Sequence, residues 1–301
     1  MEGGPTSAVE PALWSAPEGS SWSARTCSDR TLVAGSEPAA APTVVVRQGG
    51  VAAGSVLYHA TDAVSFWHCH DMHELQYAVA GVAEMLTGQT HYLLPPLHAA
   101  WIPAGHPHNS FLRDVTTIAV FFDPAVHAFA AVGPAILAVP PVLREMVRYA
   151  ARWPAWRDEE DAEATTYFAA LAGLIRQQLD HRVDRSLPVA QDPIVRRVVD
   201  YTTTNLATAT MSAACAAVGL SERSLRRRFA DEMGQSWRDY LRRARLLRAM
   251  ALLGELRMSV EAVAAATGFA SASALARSFR TWTGESPREY RRRIASARDE
   301  G

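Results

Sequence analysis

The sequence predicts an α+β chain of two domains, an all-β domain followed by an all-α domain. Short apolar runs separated by glycine and proline fill the region from about residue 44 to 125, a pattern typical of a small β sandwich or barrel. After about residue 140 the apolar residues recur with helical spacing. A length of 301 residues allows two domains, and an apolar fraction of 49% can fill two cores.

The N-terminal residues 1–43 are rich in Ala, Pro, Gly, Ser and Glu and show no periodicity, which predicts a disordered tail. We find no basic start followed by an apolar stretch, and no apolar run long enough to span a membrane. Three cysteines in so long a chain suggest no disulfide framework. These features favour a cytoplasmic protein.

The net charge of −1 is the sum of two parts of the chain with opposite net charges. Residues 1–192 contain 11 arginines and 20 acidic residues, whereas residues 193–301 contain 19 arginines and 11 acidic residues. The net charges are therefore −9 and +8, and every basic residue is an arginine. A basic C-terminal third predicts a polyanionic partner, although an arginine-rich solvated helical surface would have the same composition.

The C-terminal third contains an internal repeat with an offset of 50 residues. The matching pairs are Leu225 and Leu275, Arg227 and Arg277, Phe229 and Phe279, Gly234 and Gly284, Ser236 and Ser286, Arg238 and Arg288, and Tyr240 and Tyr290. Each copy predicts a helix–turn–helix unit, because a glycine ends one helix and a serine caps the next. The glycine and serine are Gly219 and Ser221 in the first copy, and Gly268 and Ser271 in the second.

The residue pattern of the second helix in each unit predicts a surface that contacts DNA. Leu225 and Phe229 must face the core, so the arginines between and before them project outward in the first turns of that helix. Arginine binds guanine with two hydrogen bonds in the major groove, and small side chains suit backbone contact or shape readout. The predicted DNA-binding residues are Arg223, Arg226 and Arg227 in the first unit and Ser273 and Arg277 in the second.

Residues 193–293 resemble the DNA-binding domain of the AraC/XylS family of bacterial transcription regulators. The resemblance lies in Gly219-Leu220-Ser221, Gly268-Phe269 and Gly284-Glu285-Ser286-Pro287-Arg288-Glu289-Tyr290. It implies two helix–turn–helix units joined by a long helix, here about Ser236 to Leu253, in a DNA-binding domain over residues 186–301. It also implies double-stranded DNA and RNA polymerase as partners.

A histidine cluster in the β region resembles the two motifs of the cupin barrel. The first motif comprises His68, His70, Glu74 and Gly81, and the second comprises Pro103, Gly105 and His108. The resemblance implies a cupin-like jelly roll over residues 44–125, with His68, His70, Glu74 and His108 as ligands of one divalent transition metal ion. Alternate strand residues face one side, and imidazole with carboxylate suits Zn, Fe, Mn, Ni or Cu. The same four residues could instead hydrogen-bond a small molecule, and Asp62 and Leu112 depart from the cupin pattern.

The two resemblances together imply a DNA-binding transcription regulator that responds to a small-molecule or metal ligand. Helices after the barrel mediate dimerisation in the family, which assigns that role to residues 140–182 and makes a homodimer the expected state. The apolar residues Leu171, Leu174, Ile175 and Leu179 would form either the dimer seam or the packing surface for the chain's own barrel. A metal-dependent cupin oxygenase or isomerase fused to a DNA-binding anchor is the alternative function, although we identify no catalytic residues.

Overall fold

The computed structural model of the chain describes residues 22–26, 43–47, 51–65, 67–88, 90–157 and 161–299. It confirms the predicted fold class, because a β-rich domain precedes an all-helical one. We call residues up to 182 the β domain and residues from 193 onward the helical domain. Within the described residues, no helix is both long enough and apolar enough to cross a membrane.

Two sheets build the β domain. Its strands are β1 (Trp22–Thr26), β2 (Thr43–Arg47), β3 (Ala53–Val64), β4 (His68–His70), β5 (His73–Leu86), β6 (Thr90–Leu94), β7 (His98–Ile102), β8 (Asn109–Phe122) and β9 (Ala135–Ala138). The smaller sheet has the order β1-β2-β4, and β2 pairs parallel with β4. The larger sheet is built around β5, which pairs antiparallel with β6, β7 and β8, while β3 pairs with β8.

The β domain is longer than the sequence predicts at both ends. The expected disordered tail over residues 1–43 lies mostly outside the described residues, but Trp22–Thr26 within it forms β1, paired antiparallel with β2. At the other end the sheet extends past residue 125, because β9 pairs antiparallel with β7. Both strands are short and derive their backbone hydrogen bonds from strands distant in sequence, so local composition carried no signal for them.

Two helices and a short 3-10 turn follow the strands and close the main core of the β domain. They are α1 (Pro141–Tyr149), the turn Ala150–Arg152 and α2 (Ala162–Asp180). Leu171, Ile175 and Leu179 on α2 are at most 2% exposed and lie in one cluster with Trp101 and Phe122 of the sheet. Of the two roles left open for this apolar face, Leu171, Ile175 and Leu179 take the packing role, because they bury their apolar surface against the chain's own β domain, whereas Leu174 is only partly buried.

The segment between the two domains contributes a strand to the larger sheet. Within it β10 (Ser186–Pro188) pairs antiparallel with β6 and forms the edge of the larger sheet. Arg243 of the helical domain donates hydrogen bonds to the Asp184 carboxylate at 2.6 Å and to the Ser186 carbonyl at 2.9 Å. The connection is thus fixed on both sides rather than being a free tether.

The helical domain confirms the duplicated arrangement. Its helices are α3 (Pro193–Thr204), α4 (Met211–Val218), α5 (Glu222–Met233), α6 (Trp237–Gly254), α7 (Val260–Ala266), α8 (Ala272–Thr283) and α9 (Pro287–Asp299). Helices α4 and α5 form the first unit, α7 and α8 form the second, and α6 is the predicted long connection. Ser221 and Ser271 cap α5 and α8 by accepting hydrogen bonds from backbone N–H groups two residues inside each helix.

Candidate DNA-reading surface and metal centre

Helix α5 has one buried face and one arginine-rich exposed face. Leu225 and Phe229 are fully buried in the core of the first unit, as their four-residue spacing predicts. Arg223, Arg226 and Arg227 are exposed in the first half of the helix. The structure therefore brings the three predicted arginines to a single accessible surface at the start of α5.

The arginines of α5 differ in their ionic partners. Arg226 pairs with Glu222 one turn earlier, at 2.6 Å. Arg228 donates to the Asp192 carboxylate, which also caps α3, so its role is to hold two helices of the fold together. Among the described residues, no carboxylate lies within salt-bridge distance of Arg223 or Arg227. These two guanidinium groups are the ones that a DNA partner can reach without breaking an ion pair.

Helix α8 presents a smaller version of the same surface. Leu275 and Phe279 are fully buried, while Ser273 and Arg277 are exposed on the opposite side. Ala272 and Ala276 lie on that outer side as well, and both are partly exposed. We call α5 and α8 the reading helices, because their exposed sides carry all five residues that the sequence predicts to contact DNA.

The backbone of the β domain brings the predicted metal ligands together. His68 on β4 exchanges two backbone hydrogen bonds with His108, at 3.0 and 2.9 Å, and their rings lie 4.2 Å apart. Gly105, with φ of +74°, donates its N–H to the His70 carbonyl at 2.7 Å and thereby turns the chain toward His108. This turn explains why a glycine stands three residues before the histidine in the second motif.

The hydrogen bonds of two imidazoles fix which ring nitrogen faces the centre of the cluster. Nδ1 of His70 lies 2.6 Å from the Met72 carbonyl, and Nδ1 of His108 lies 2.9 Å from the His106 carbonyl. A carbonyl only accepts, so each Nδ1 must carry the proton. Nε2 of both rings is then the atom available to a metal ion, an arrangement that is common around protein-bound metals.

Glu74 lies beside these nitrogens. Its carboxylate oxygen is 2.8 Å from Nε2 of His70 and 3.6 Å from Nε2 of His108. Burial raises the pKa of this carboxyl, but hydrogen bonds with His108 and His70 outweigh it and hold the pKa well below its usual range. Without an ion, a hydrogen bond to this carboxylate requires a second proton on the imidazole, at Nε2; a bound ion would take the place of that proton and be ligated by the nitrogen and the carboxylate oxygen together.

Ligand atoms of His68, His70 and His108 all lie within 4.8 Å of one another, and all three side chains are buried. Imidazole nitrogens at this spacing, with one carboxylate at their edge, fit a divalent transition metal ion. The cluster lies beside a cavity whose water-accessible volume is about 20 Å³, which is room for one ion or water molecule.

The sequence analysis missed four residues that line this cavity. They are Tyr58, Ser65, Gln76 and Ser110. Gln76 is two residues after Glu74 on β5, and Ser110 is two residues after His108, so strand alternation could have placed both on the same face. Tyr58 and Ser65 lie on or next to β3, whose pairing with β8 no local pattern reveals.

Comparison with known proteins gives two family matches and several relatives. Residues 53–110 match the AraC-like ligand binding domain, and residues 214–293 match a helix-turn-helix domain family. The HTH-type transcriptional regulator NimR of Escherichia coli K12 is 26% identical over 235 residues, which cover 76% of this chain and 83% of NimR. The HTH-type transcriptional regulator VqsM of Pseudomonas aeruginosa is 38% identical over 72 residues.

The VqsM match spans only 24% of this chain and 22% of VqsM. Among solved structures, the DNA-binding domain of AdpA in complex with a target DNA is 32% identical. That match covers 36% of this chain and 99% of the AdpA domain, with a TM-score of 0.34.

The fold and the two matched domains define the class of this protein as a DNA-binding transcription regulator with an N-terminal ligand-binding domain. The order of the domains, the duplicated units and the similarity to NimR are those of AraC-type transcription regulators, with an AraC-like ligand binding domain followed by a helix-turn-helix domain.

Proposed function

We propose that this regulator recognises a two-part DNA site with its two reading helices, and that the state of the histidine cluster modulates this binding. The observation that carries the first part is the duplicated unit with exposed arginines on α5 and an exposed arginine on α8. Arg223, Arg226 and Arg227 would contact base edges of one part of the site, and Ser273 and Arg277 would contact the other. Base contacts of this kind supply sequence preference, whereas phosphate contacts supply only affinity.

Selection of duplexes from a random library by the full-length protein tests the DNA proposal. We expect enrichment of a site with two conserved segments about one helical turn apart, because the two reading helices would enter successive major grooves of one face. Enrichment of no sequence, with binding that depends on charge alone, would contradict it.

We propose that the ligand of the β domain is a divalent transition metal ion held by His68, His70, Glu74 and His108. The inward Nε2 atoms, the ionised carboxylate and the small cavity support an ion over an organic molecule. When bound, the ion would supply a charge that fixes the relative positions of β4, β5 and the turn before β8. The strands and the turn that carry these four residues hold their side chains in place and keep water out.

Metal analysis by mass spectrometry tests this second proposal. Protein purified without chelator and equilibrated with Zn²⁺, Fe²⁺, Mn²⁺, Ni²⁺ or Cu²⁺ should retain close to one ion per chain. The double variant His68→Ala/His70→Ala should retain none, whereas His91→Ala, which removes a partly exposed histidine paired with Glu84, should retain it. If the wild type holds no ion, the cluster is a hydrogen-bonding pocket and the DNA proposal is unaffected.

The remaining parts of the proposal concern partners and setting. We propose a homodimer in the cytoplasm that contacts RNA polymerase when bound to DNA, as the family relationship suggests. Because the apolar face of α2 is buried inside the β domain, a dimer would have to use other residues, and sedimentation of the full-length protein would establish its state. We do not extend the proposal to catalysis, since NimR and VqsM are transcriptional regulators.

A further inference from the structure

A loop of the β domain forms part of the core of the helical domain. Residues 95–97 connect β6 to β7, and we call them the β6–β7 loop. Leu97 is 5% exposed and lies in one apolar cluster with Leu253 of α6, Phe279 of α8 and Ile294 of α9. The core of the second unit therefore includes a side chain supplied by the β domain.

Two further contacts hold the loop against the same helices. The Tyr290 hydroxyl on α9 donates a hydrogen bond to the Pro96 carbonyl at 3.0 Å. Gly254, at the end of α6, lies so close to Pro96 that an added Cβ would be 2.7 Å from the proline Cγ. These contacts couple the position of the loop to the positions of α6 and α9.

The loop is equally fixed from the β domain. The Leu97 carbonyl accepts a hydrogen bond from the Val139 N–H at 2.9 Å, and the His98 N–H donates to the Pro95 carbonyl at 3.2 Å. Leu97 has a φ of +65°, a conformation that is unfavourable for a residue with a side chain. A leucine persists in this conformation only where its surroundings compensate, and here burial of Leu97 in the second unit does so.

The contacts lead directly to the second reading helix. Tyr290 is fully buried, and its ring lies 5.5 Å from the ring of Phe279, on the buried side of α8. Arg277 is two residues before Phe279, on the exposed side of the same helix. A chain of contacts thus runs from the β6–β7 loop through Tyr290 and Phe279 to the helix that carries Arg277.

We infer that Leu97 and Pro96 are positioning residues for the second unit, so that preference for the second part of the DNA site depends on the β6–β7 loop. The first unit contacts the β domain elsewhere, through Leu187 of β10 and Leu93 of β6, and its preference should be independent of the loop. The inference rests on the proposed recognition of a two-part site.

The test uses the full-length protein and the duplex that the wild type selects from a random library. Affinity is measured for this duplex and for two others, in each of which one part of the site is scrambled. Arg277→Ala identifies the part read by the second unit, because scrambling that part should no longer cost it affinity. The measured quantity is the affinity for the intact duplex divided by the affinity for the duplex in which the second part of the site is scrambled.

Leu97→Ala should lower this ratio roughly tenfold, the size of discrimination that one well-placed base contact supplies, while the ratio for the first part stays unchanged. A loss of folded protein lowers affinity for all duplexes equally and leaves the ratio where it is. Leu97→Met, which keeps the apolar volume, should restore most of the ratio. Leu256→Ala is the matched control, because this leucine follows α6 but is 40% exposed.

Gly254→Ala changes the contact with Pro96 from the side of helix α6 instead of from the loop. Alanine favours a helix more than glycine does, so any loss of second-part preference would come from displacement of Pro96 rather than from weakening of α6. Equal ratios in the wild type, Leu97→Ala and Gly254→Ala would overturn the positioning role alone. A wild type that selects no two-part site would overturn the proposed function, and the positioning role with it.

Discussion

Single side chains at the reading surface and at the domain interface carry separate roles that the structure distinguishes. The sequence shows four arginines over residues 223–228 and a fifth at 277, but it does not distinguish arginines that contact DNA bases from arginines that stabilise the fold. The ion pairs of the structure make this distinction. Arg228 pairs with Asp192 and Arg226 pairs with Glu222, whereas no acidic group among the described residues pairs with Arg227. Arg227 and Arg228 are adjacent in sequence and form a matched pair for experiment.

Arg227→Ala should reduce affinity for the selected site by about 1–3 kcal/mol and relax preference at one or two base pairs, because it removes a groove-facing donor. Arg228→Ala should leave the base preference unchanged and should instead lower stability slightly. Fluorescence anisotropy on selected and random duplexes measures both effects. Equal losses on the two duplexes would make Arg227 a phosphate contact instead of a reader.

His98, next to the β6–β7 loop, gives a pH dependence of stability. Burial, together with the charges of Arg185 and Arg293, lowers the pKa of this imidazole to about 3, despite hydrogen bonds to Pro96 and Pro95 that raise it. The folded chain keeps His98 neutral, whereas the unfolded chain takes up a proton below about pH 6.5. The stability from neutral His98 is therefore present above pH 6.5 and is lost as the pH falls toward 3.

Urea unfolding of the full-length protein at pH 7.5 and pH 5.5 measures this dependence. The wild type should lose about 1 kcal/mol more stability between these pH values than His98→Asn does, because asparagine cannot take up the proton. The comparison isolates His98 from the other histidines, which both proteins share. Parallel losses in the two proteins would show that His98 is not kept neutral.

At the scale of elements, the two units are copies with different surroundings. The turn of each unit contains a glycine with positive φ, +69° at Gly219 and +76° at Gly268. Nothing lies within 4 Å of a Cβ added at Gly219, whereas a Cβ at Gly268 would be 2.2 Å from the Ala207 carbonyl oxygen. The sequence predicts the same role for both glycines, but only the second is also required by a close backbone approach.

Gly219→Ala should therefore cost about 1–2 kcal/mol of stability, the usual cost of a side chain in the left-handed region. Gly268→Ala should cost about 1–3 kcal/mol more, because the added methyl group must displace the chain at Ala207. Thermal unfolding of the two variants beside the wild type measures the difference. Equal destabilisation would mean that the 207–209 segment moves away freely.

At the scale of the whole molecule, the two domains are packed together rather than joined by a tether. β10 extends the sheet, Leu187 and Leu93 contact the first unit, and Leu97 contacts the second. DNA binding should therefore be measured with the full-length chain, because removal of the β domain would expose apolar surface of both units.

The charge asymmetry between the two parts of the chain predicts a strong salt dependence of DNA binding. A net charge of +8 over residues 193–301 should displace several counterions from DNA. The slope of log K against log salt concentration should be steeper than about −3 for the full-length protein. Anisotropy titrations at several salt concentrations measure this slope, and an affinity independent of salt would exclude an electrostatic interface.

The sequence by itself determined the fold class, the duplicated units and their capping residues, and its resemblance to the cupin motifs named the four residues of the histidine cluster. Each of these follows from spacing within one or two elements: four-residue steps on a helix, two-residue steps on a strand, and glycine or serine at helix ends. The 50-residue repeat also made the reading helices recognisable without knowledge of their packing.

Only the tertiary structure decided which apolar surfaces meet. An apolar face such as that of α2 fits a partner chain or the chain's own sheet equally well, and the choice depends on elements distant in sequence. For the same reason the sequence did not reveal the pairing of β10 with β6 or the burial of Leu97 in the core of the second unit. Long-range pairing and burial decide these contacts, and no local spacing carries information about them.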